Sequence, residues 1–103
     1  MYPSYQSKFP ELGFYGLPGH TRSPRDILKQ AQDAEALGVG NIMISERPDY
    51  KEIAAICGAV AAVTNEIFIG TSATNLNKRH PTVTASIGST LHRLSEGRFA
   101  LGL

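Results

Sequence analysis

The sequence predicts an α/β fold in which helices connect parallel strands. In this chain of 103 residues, four short apolar runs alternate with three longer segments that have helical periodicity. The apolar runs begin near positions 12, 41, 67 and 99, so one strand-plus-helix unit takes about 30 residues. Such alternation is typical of right-handed β–α–β units.

The first unit consists of a short strand and a well-marked helix. The strand lies within Glu11–Gly19 and ends in turn residues. Ser23 is the predicted N-cap of the helix, Pro24 its first residue and Gly38 its C-terminal stop. The apolar positions at helical spacing are Ile27, Ala31, Ala34 and Leu37. We expect residues 1–10 to form an extended leader and residues 11–103 to form the domain.

The remaining units repeat this pattern. Strands are predicted at Asn41–Ser45, at Ile67–Ser72 and in the closing "RFALGL", with helices over 51–64 and 80–95. The residues predicted to face the core are Ile53, Ile56, Cys57, Val60 and Val63 on the second helix, and Val83, Ile87, Leu91 and Leu94 on the third.

Two architectures fit this order of elements. One is an open doubly wound sheet; the other is a (β/α)8 TIM barrel, whose repeat has the same length. In the second case, four parallel strands and three helices make the N-terminal half of a barrel. The chain closes on the apolar "GRFALGL", so we expect it to stop before the barrel does and its bare sheet edges to favour a homo-oligomer.

Composition excludes several classes of function. The net charge is +1 and no basic stripe is present, which gives no support for a nucleic-acid partner. No apolar run has the roughly 18 residues of a membrane span. The single cysteine excludes a disulfide framework and favours the cytoplasm. The three histidines have no metal-binding spacing, so no metal is predicted.

The candidate site lies where the strands end, because ligands of parallel α/β folds bind there. After the second strand, arginine can hold an anionic group and glutamate can orient it or move a proton; the alternative is a surface ion pair. After the third strand, small polar residues let a ligand approach the backbone; the alternative is a loop that only leads into a helix. The predicted site residues are Glu46 and Arg47 as catalytic groups, and Tyr15, Ser72, Ala73, Thr74 and Asn75 as cofactor-binding groups.

Three stretches carry a resemblance to a known family. "IFIGTSATNLNKRHP" and "TASIGSTLHRLSEGRFALGL" resemble the luciferase-like monooxygenase superfamily, and "SPRDILKQAQDAEALGVGNIMISERPDYKE" is similar to its deazaflavin (coenzyme F420)-dependent branch. The resemblance implies a (β/α)8 barrel, usually dimeric, that binds F420, or alternatively FMN, at the C-terminal mouth. It also implies a non-prolyl cis peptide behind the cofactor ring, which maps to Ser72-Ala73.

The resemblance implies an oxidoreductase that transfers hydride to or from a small organic substrate, or activates oxygen if FMN is bound. Some relatives place an acid–histidine pair after the second strand, where this chain has Glu46 and Arg47. The substrate class therefore stays open, and we expect the chain alone to be inactive. Two alternatives remain: an inactive, self-associating α/β module and a small doubly wound binding domain.

Overall fold

The computed structural model describes residues 7–18, 23–47 and 49–103. It confirms the predicted alternation of strands and helices. Most of the predicted leader lies outside the described residues, and so does His20, one of the three histidines. The elements are β1 (Phe9–Tyr15), α1 (Asp26–Leu37), β2 (Val39–Ile44), α2 (Ile53–Val63), β3 (Phe68–Thr71), a 3-10 turn (Leu76–Lys78), α3 (Pro81–Leu94) and β4 (Phe99–Ala100).

The four strands form one parallel sheet in the order β1-β2-β3-β4. Tyr15 pairs with Met43, Met43 with Gly70, and Gly70 with Ala100. The carboxyl ends of the strands therefore lie side by side. Sequential order is the order predicted for half a (β/α)8 barrel, and it contradicts the order 3-2-1-4 that an open doubly wound domain would have shown.

The core lies between the helices and one face of this sheet. In β2, burial alternates strictly along the strand, as the period of two requires. Ile42 and Ile44 are completely buried, together with Ile27 of α1 and Val60 of α2. Each buried side chain of this size contributes about 1.5–3 kcal/mol. The opposite face of β2 carries Asn41 and Met43, which are only half-buried.

Helix α3 presents a different face to the core than its apolar spacing predicts. Thr84 and Leu91 are buried and Ile87 packs against the core, whereas Val83 is 48% exposed and Leu94 51% exposed. The prediction was wrong at these two positions because the helix turns the small Thr84 inwards, so that the apolar side chain of the preceding residue faces outwards. The last residue of α1 behaves in the same way, since Leu37 is exposed.

Only the C-terminal end of α1 agrees with the prediction. Gly38 ends the helix with a positive φ of 86°, which glycine adopts without steric cost. At the other end, regular helix begins at Asp26, after a turn in which the Ser23 hydroxyl accepts the N–H of Arg25 at 3.2 Å. The predicted cap therefore accepts a backbone N–H from the residue two positions later, and this contact lies one turn before the first residue of regular helix.

The amino ends of β3 and β4 are joined by a buried arginine. Arg98 is 4% exposed, and its Nε donates to the carbonyl of Ser95 at 2.8 Å. Its Nη1 donates to Thr64 Oγ1 and to the carbonyl of Ile67, both at 2.9 Å. Its Nη2 donates to the carbonyls of Thr64 at 3.0 Å and Ala61 at 3.3 Å. One side chain thus ties the end of α2 and the approach to β3 to the approach to β4.

A carboxylate supports the same end of the sheet. One oxygen of Glu35, Oε2, accepts the backbone N–H groups of Asn65 at 2.8 Å, Glu66 at 2.5 Å and Ile67 at 3.0 Å. These three donors belong to the loop between α2 and β3, so Glu35 fixes that loop against α1. Within the ranges given above, no helix has the length and apolar character needed to cross a membrane.

Candidate active site

The site predicted from the sequence forms around a cis peptide at the end of β3. The bond between Ser72 and Ala73 is cis, which confirms the prediction for this position. The N–H of Ser72 donates to the carbonyl of Ile44 at 2.8 Å, so the peptide lies against the end of β2. The hydroxyl groups of Ser72 and Tyr15 are 3.1 Å apart, which brings the end of β1 to the same place.

Exposure distinguishes the residues around this peptide. Tyr15 is 57% exposed, Ala73 and Asn75 are exposed, and Ser72 is half-buried. Thr74 is 5% exposed. Four of the five predicted cofactor-binding residues therefore offer surface to a ligand, whereas the side chain of Thr74 faces the interior.

Glu46 holds the segment that follows the cis peptide. Its Oε1 accepts the hydroxyl of Thr74 at 2.9 Å and the N–H of Asn75 at 3.4 Å. It also accepts Arg79 Nη1 at 3.2 Å, while Arg79 Nη2 donates to Oε2. The Glu46 side chain is only 7% exposed, so this carboxylate is enclosed by its partners.

These partners decide the protonation state of Glu46. Burial raises its pKa, but the hydrogen bonds from Arg79, Thr74 and Asn75, together with the charge of Arg79, lower the pKa to about 2. Hydrogen bonds and opposite charge favour the ionised form of a carboxyl group. Near neutral pH this group is therefore a fixed anion that orients its neighbours.

Arg79 connects this network to helix α2. Its Nη1 donates to Thr74 Oγ1 at 3.0 Å, and its Nη2 lies 3.8 Å from a carboxylate oxygen of Glu52. Glu52 is the N-cap of α2, where its Oε1 accepts the N–H groups of Ala54 at 2.8 Å and Ala55 at 3.1 Å. The guanidinium thus joins the ends of β2 and β3 to the start of α2.

Sequence reasoning did not assign Arg79 to the site. It considered Arg47 as the possible ionic partner of Glu46, but the ion pair in the structure joins Glu46 to Arg79. The available signal was the position of Arg79 in the polar segment after β3. Pairing across 33 residues depends on sheet register, which local spacing does not encode.

Arg47 begins a tight turn at the edge of the site. Its N–H donates to the carbonyl of Lys51 at 3.0 Å, and the N–H of Lys51 donates back at 2.8 Å. Asp49 within this turn has a φ of 67°. The Arg47 side chain is exposed, on the residue directly after Glu46.

Position 102 brings the end of β4 to the same network. The hydroxyl of Thr71 donates to the carbonyl of Gly102 at 2.8 Å, the N–H of Gly102 donates back to that hydroxyl oxygen at 2.6 Å, and the N–H of Thr74 donates to the same carbonyl at 2.9 Å. A Cβ at position 102 would lie 2.1 Å from the carbonyl oxygen of Thr71. Only glycine lets the two segments approach this closely.

The histidines take no part in this network within the described residues. His80 caps α3, because its Nδ1 accepts the N–H of Thr82 at 3.1 Å. His92 lies within α3. Over residues 7–18, 23–47 and 49–103, no group of three or more histidine, cysteine or acidic side chains comes together in a way that could hold a metal ion.

A family model for luciferase-like monooxygenases matches residues 11–103. The chain belongs to the luciferase-like monooxygenase family. Membership confirms the resemblance found in the sequence, and it rules out an unrelated doubly wound domain. The four parallel strands and three helices are accordingly the N-terminal half of the family's (β/α)8 barrel.

Three known proteins are similar to this luciferase-like chain. The 5,10-methylenetetrahydromethanopterin reductase of Methanolobus tindarius is 34% identical over 77 residues, which are 75% of this chain and 24% of the relative. The coenzyme F420-dependent tetrahydromethanopterin reductase from Methanopyrus kandleri has a solved structure with a TM-score of 0.78 and 28% identity, covering 90% of this chain and 26% of that one.

The third is the oxygenating constituent of 3,6-diketocamphane monooxygenase from Pseudomonas putida, a type II Baeyer-Villiger monooxygenase solved in complex with FMN. It superposes with a TM-score of 0.74 and 26% identity, over 88% of this chain and 28% of that one. This luciferase-like chain therefore spans about a quarter of the length of the relatives that it matches.

Proposed function

We propose that the chain supplies the N-terminal part of the cofactor site in a luciferase-like oxidoreductase that uses coenzyme F420, with FMN as the alternative cofactor. The observation that carries this proposal is the meeting of the ends of β1, β2 and β3 at one place, where Ser72 contacts Tyr15 and Ile44 and where Glu46 holds Thr74. Similarity to an F420-dependent reductase and to an FMN-bound monooxygenase supports the choice of these two cofactors.

The residues around this peptide fit a flat, polar-edged ring system. Ala73 is small and exposed, so it leaves room for a planar group against the backbone. The hydroxyl groups of Tyr15 and Ser72 and the amide of Asn75 surround it with hydrogen-bonding atoms. When bound, the cofactor would supply hydride transfer in the case of F420, or oxygen activation in the case of FMN.

The predicted cofactor-binding residues divide into two roles. Tyr15, Ser72, Ala73 and Asn75 contact the cofactor directly, since each offers exposed or half-exposed atoms at the mouth. Thr74 contributes its backbone and fixes the loop, because its hydroxyl is shared between Glu46 and Arg79.

The two predicted catalytic residues also take different roles in this proposal. Glu46 orients the segment after the cis peptide and keeps its negative charge near neutral pH, which fits orientation better than proton delivery. Arg47 offers an exposed guanidinium beside it, suited to an anionic part of the cofactor or of a small organic substrate.

Titration of the purified protein with F420 and with FMN tests the proposal. Absorbance changes on addition of one cofactor are the expected result, with Ala73→Leu abolishing them because its side chain fills the space of the ring. Ala62→Leu is the matched control, since Ala62 is an exposed residue of α2 away from the mouth. If neither cofactor binds, or if Ala73→Leu binds as well as the native protein, the proposal is wrong.

A self-associating module without activity is the second candidate. The sheet face opposite the helices exposes Tyr15, Phe68 and Ala100, and covering such apolar surface contributes about 25 cal/mol per Å². Light scattering after size exclusion should give at least twice the monomer mass in either case. An assembly that binds neither cofactor would favour this second candidate over the first.

A cytoplasmic location belongs to the same proposal. The single cysteine, Cys57, is fully buried, and burial, followed by the charges of Glu52 and Glu46, raises its pKa to about 12. A thiol in this state is unreactive, and it supplies no disulfide that would suit an oxidising compartment. Detection of the protein in the cytosolic fraction of its cells is the corresponding test.

A further inference from the structure

Lys51 is a buried ammonium group at the carboxyl end of the sheet. It is only 2% exposed, and its Nζ donates to the carbonyl of Leu17 and to Ser45 Oγ, each at 3.0 Å. Within the described residues, the ion pairs do not include Lys51. Desolvation lowers its pKa, and the charge of Arg47 lowers it further. Keeping a cation in such surroundings costs stability, which calls for a functional reason.

The turn after β2 brings this side chain back under the strand end. The two backbone hydrogen bonds between Arg47 and Lys51 close the turn, and the positive φ of Asp49 reverses the chain inside it. Lys51 therefore points at Ser45, six residues earlier in the chain. The same ammonium group fixes the loop after β1 through the carbonyl of Leu17.

The contact with Lys51 determines what the Ser45 hydroxyl can do. An ammonium group is only a donor, so Ser45 Oγ must accept, and its own proton has to point elsewhere. Within residues 7–18, 23–47 and 49–103, the hydrogen bonds do not include an acceptor for that proton. Ser45 is half-buried, so the proton can reach a ligand.

The direction of this hydroxyl agrees with the site. Side-chain alternation along β2 leaves Asn41 and Met43 on the face away from the helices, and continued alternation puts Ser45 on that face as well. The carbonyl of the preceding residue, Ile44, accepts the N–H of Ser72 at 2.8 Å. Ser45 therefore lies beside the cis peptide that we assign to the cofactor.

We propose that Lys51 is a positioning residue that orients the Ser45 hydroxyl as a hydrogen-bond donor to the cofactor ring. The acceptor would be a carbonyl oxygen or a ring nitrogen at the edge of a flavin or deazaflavin. This inference rests on the proposed function, because it requires the ring to lie against Ser72 and Ala73. It adds a hydrogen bond from Ser45 to the cofactor, which is neither among the contacts predicted from the sequence nor part of the network around Glu46.

The test is a double-mutant cycle on affinity for F420 and FMN, measured by absorbance titration. Ser45→Ala should weaken binding about 5–10-fold, the effect of one hydrogen bond. Lys51→Met should weaken it by a similar factor, and the double variant should be no worse than Ser45→Ala alone, because both changes remove the same oriented donor. Ser45→Thr, which keeps the hydroxyl, should bind within about twofold of the native protein.

A measurement without cofactor separates this inference from the proposed function. In the cofactor-free protein, the 15N resonance of Lys51 Nζ should shift in Ser45→Ala and stay in place in the control Ser86→Ala, which changes an exposed serine of α3. If the native protein binds a cofactor but Ser45→Ala binds equally well, this inference fails and the proposed function stands. If the native protein binds neither cofactor, both fail.

The same double-mutant cycle tests whether Lys51 has a purely structural role. In that case Lys51→Met would lower the melting temperature, and its effect on affinity would add to that of Ser45→Ala in the double variant. Additive effects would overturn the inference. If Lys51→Met does not fold, Ser45→Ala and Ser45→Thr decide the question, since native-like binding by Ser45→Ala contradicts it.

Discussion

Arg79 and Arg98 lie at opposite ends of the same sheet and differ in what they contact. Arg79, at the carboxyl ends, pairs with two carboxylates and stays 15% exposed in its side chain. Arg98, at the amino ends, is 4% exposed and donates to four backbone carbonyls and one hydroxyl. The first belongs to a charged network around the Glu46 carboxylate, whereas the second supplies hydrogen-bond donors to backbone carbonyls inside the protein.

This difference indicates that the two ends of the sheet serve different purposes. In barrels of this kind, residues at the carboxyl end carry activity and those at the amino end carry stability. Substitutions at Arg98 and Glu35 should therefore change the free energy of unfolding. Substitutions near Arg79 should change cofactor affinity and the way in which stability depends on pH. The following experiments either break that division or sharpen it.

The largest expected effect is that of Arg98→Met. The substitution leaves several buried acceptors without donors, and each such group costs about 1–3 kcal/mol. We expect the free energy of unfolding, measured by urea denaturation, to fall by at least about 3 kcal/mol. Arg93→Met, at an exposed position of α3, should change it by less than about 0.5 kcal/mol. Equal losses of unfolding free energy in the two variants would contradict the stabilising role of Arg98.

Glu46 should make stability depend on acid pH. Its pKa is lowered to about 2 from an ordinary value of 4.5, so the folded protein binds this proton less readily than the unfolded chain. The resulting stabilisation, on the order of 2 kcal/mol, is present above pH 4.5 and lost as the pH falls towards 2. Urea denaturation between these pH values should give this slope, and Glu46→Gln should remove it.

The control for this pH profile is Glu96→Gln, at an exposed position after α3. It should keep the native dependence on pH. A profile that is the same in Glu46→Gln and in the native protein would mean that other carboxyl groups cause the acid sensitivity.

Glu35→Ala should have a smaller effect, confined to stability. The change leaves three backbone N–H groups of the loop before β3 without their acceptor. Because Asn65 and Glu66 are exposed and water can reach them, we expect a loss of about 1–2 kcal/mol. Glu66→Ala keeps the same backbone and serves as the control. Unchanged cofactor affinity in both variants would agree with the division between the two ends.

Tyr15→Phe should have the smallest effect on stability. It removes one hydrogen bond to Ser72 at an exposed site, so the free energy of unfolding should change by no more than about 0.5 kcal/mol. Affinity for the cofactor should fall a few-fold in the same titration. A variant that loses stability but keeps its affinity would reverse the roles that we give to the two ends.

The order of elements was predictable because it depends on local pattern. Apolar runs and helical spacing identify the strands and helices, and the small residues of "TSAT", together with the family resemblance, identified Ser72-Ala73 as the cis peptide. A parallel sheet then brings the strand ends together.

Side-chain partners were not predictable in the same way. The contacts of Glu46 with Arg79 and of Lys51 with Ser45 depend on how two loops meet above the sheet. The core face of α3 was also misjudged, because Thr84 is buried while Val83 is exposed. Hydropathy ranks side chains by their chemistry, whereas burial at these positions follows the geometry of packing.

The close approach of Gly102 to Thr71 limits how sequences of this kind can diverge. Any side chain at position 102 would collide with the backbone of residue 71 and would separate the end of β4 from the segment that carries Thr74. In relatives that retain this arrangement, we expect glycine at the matching position whatever the substrate. Exposed positions that make no such close contact are not limited in this way, so new specificities can arise there while the framework beneath stays the same.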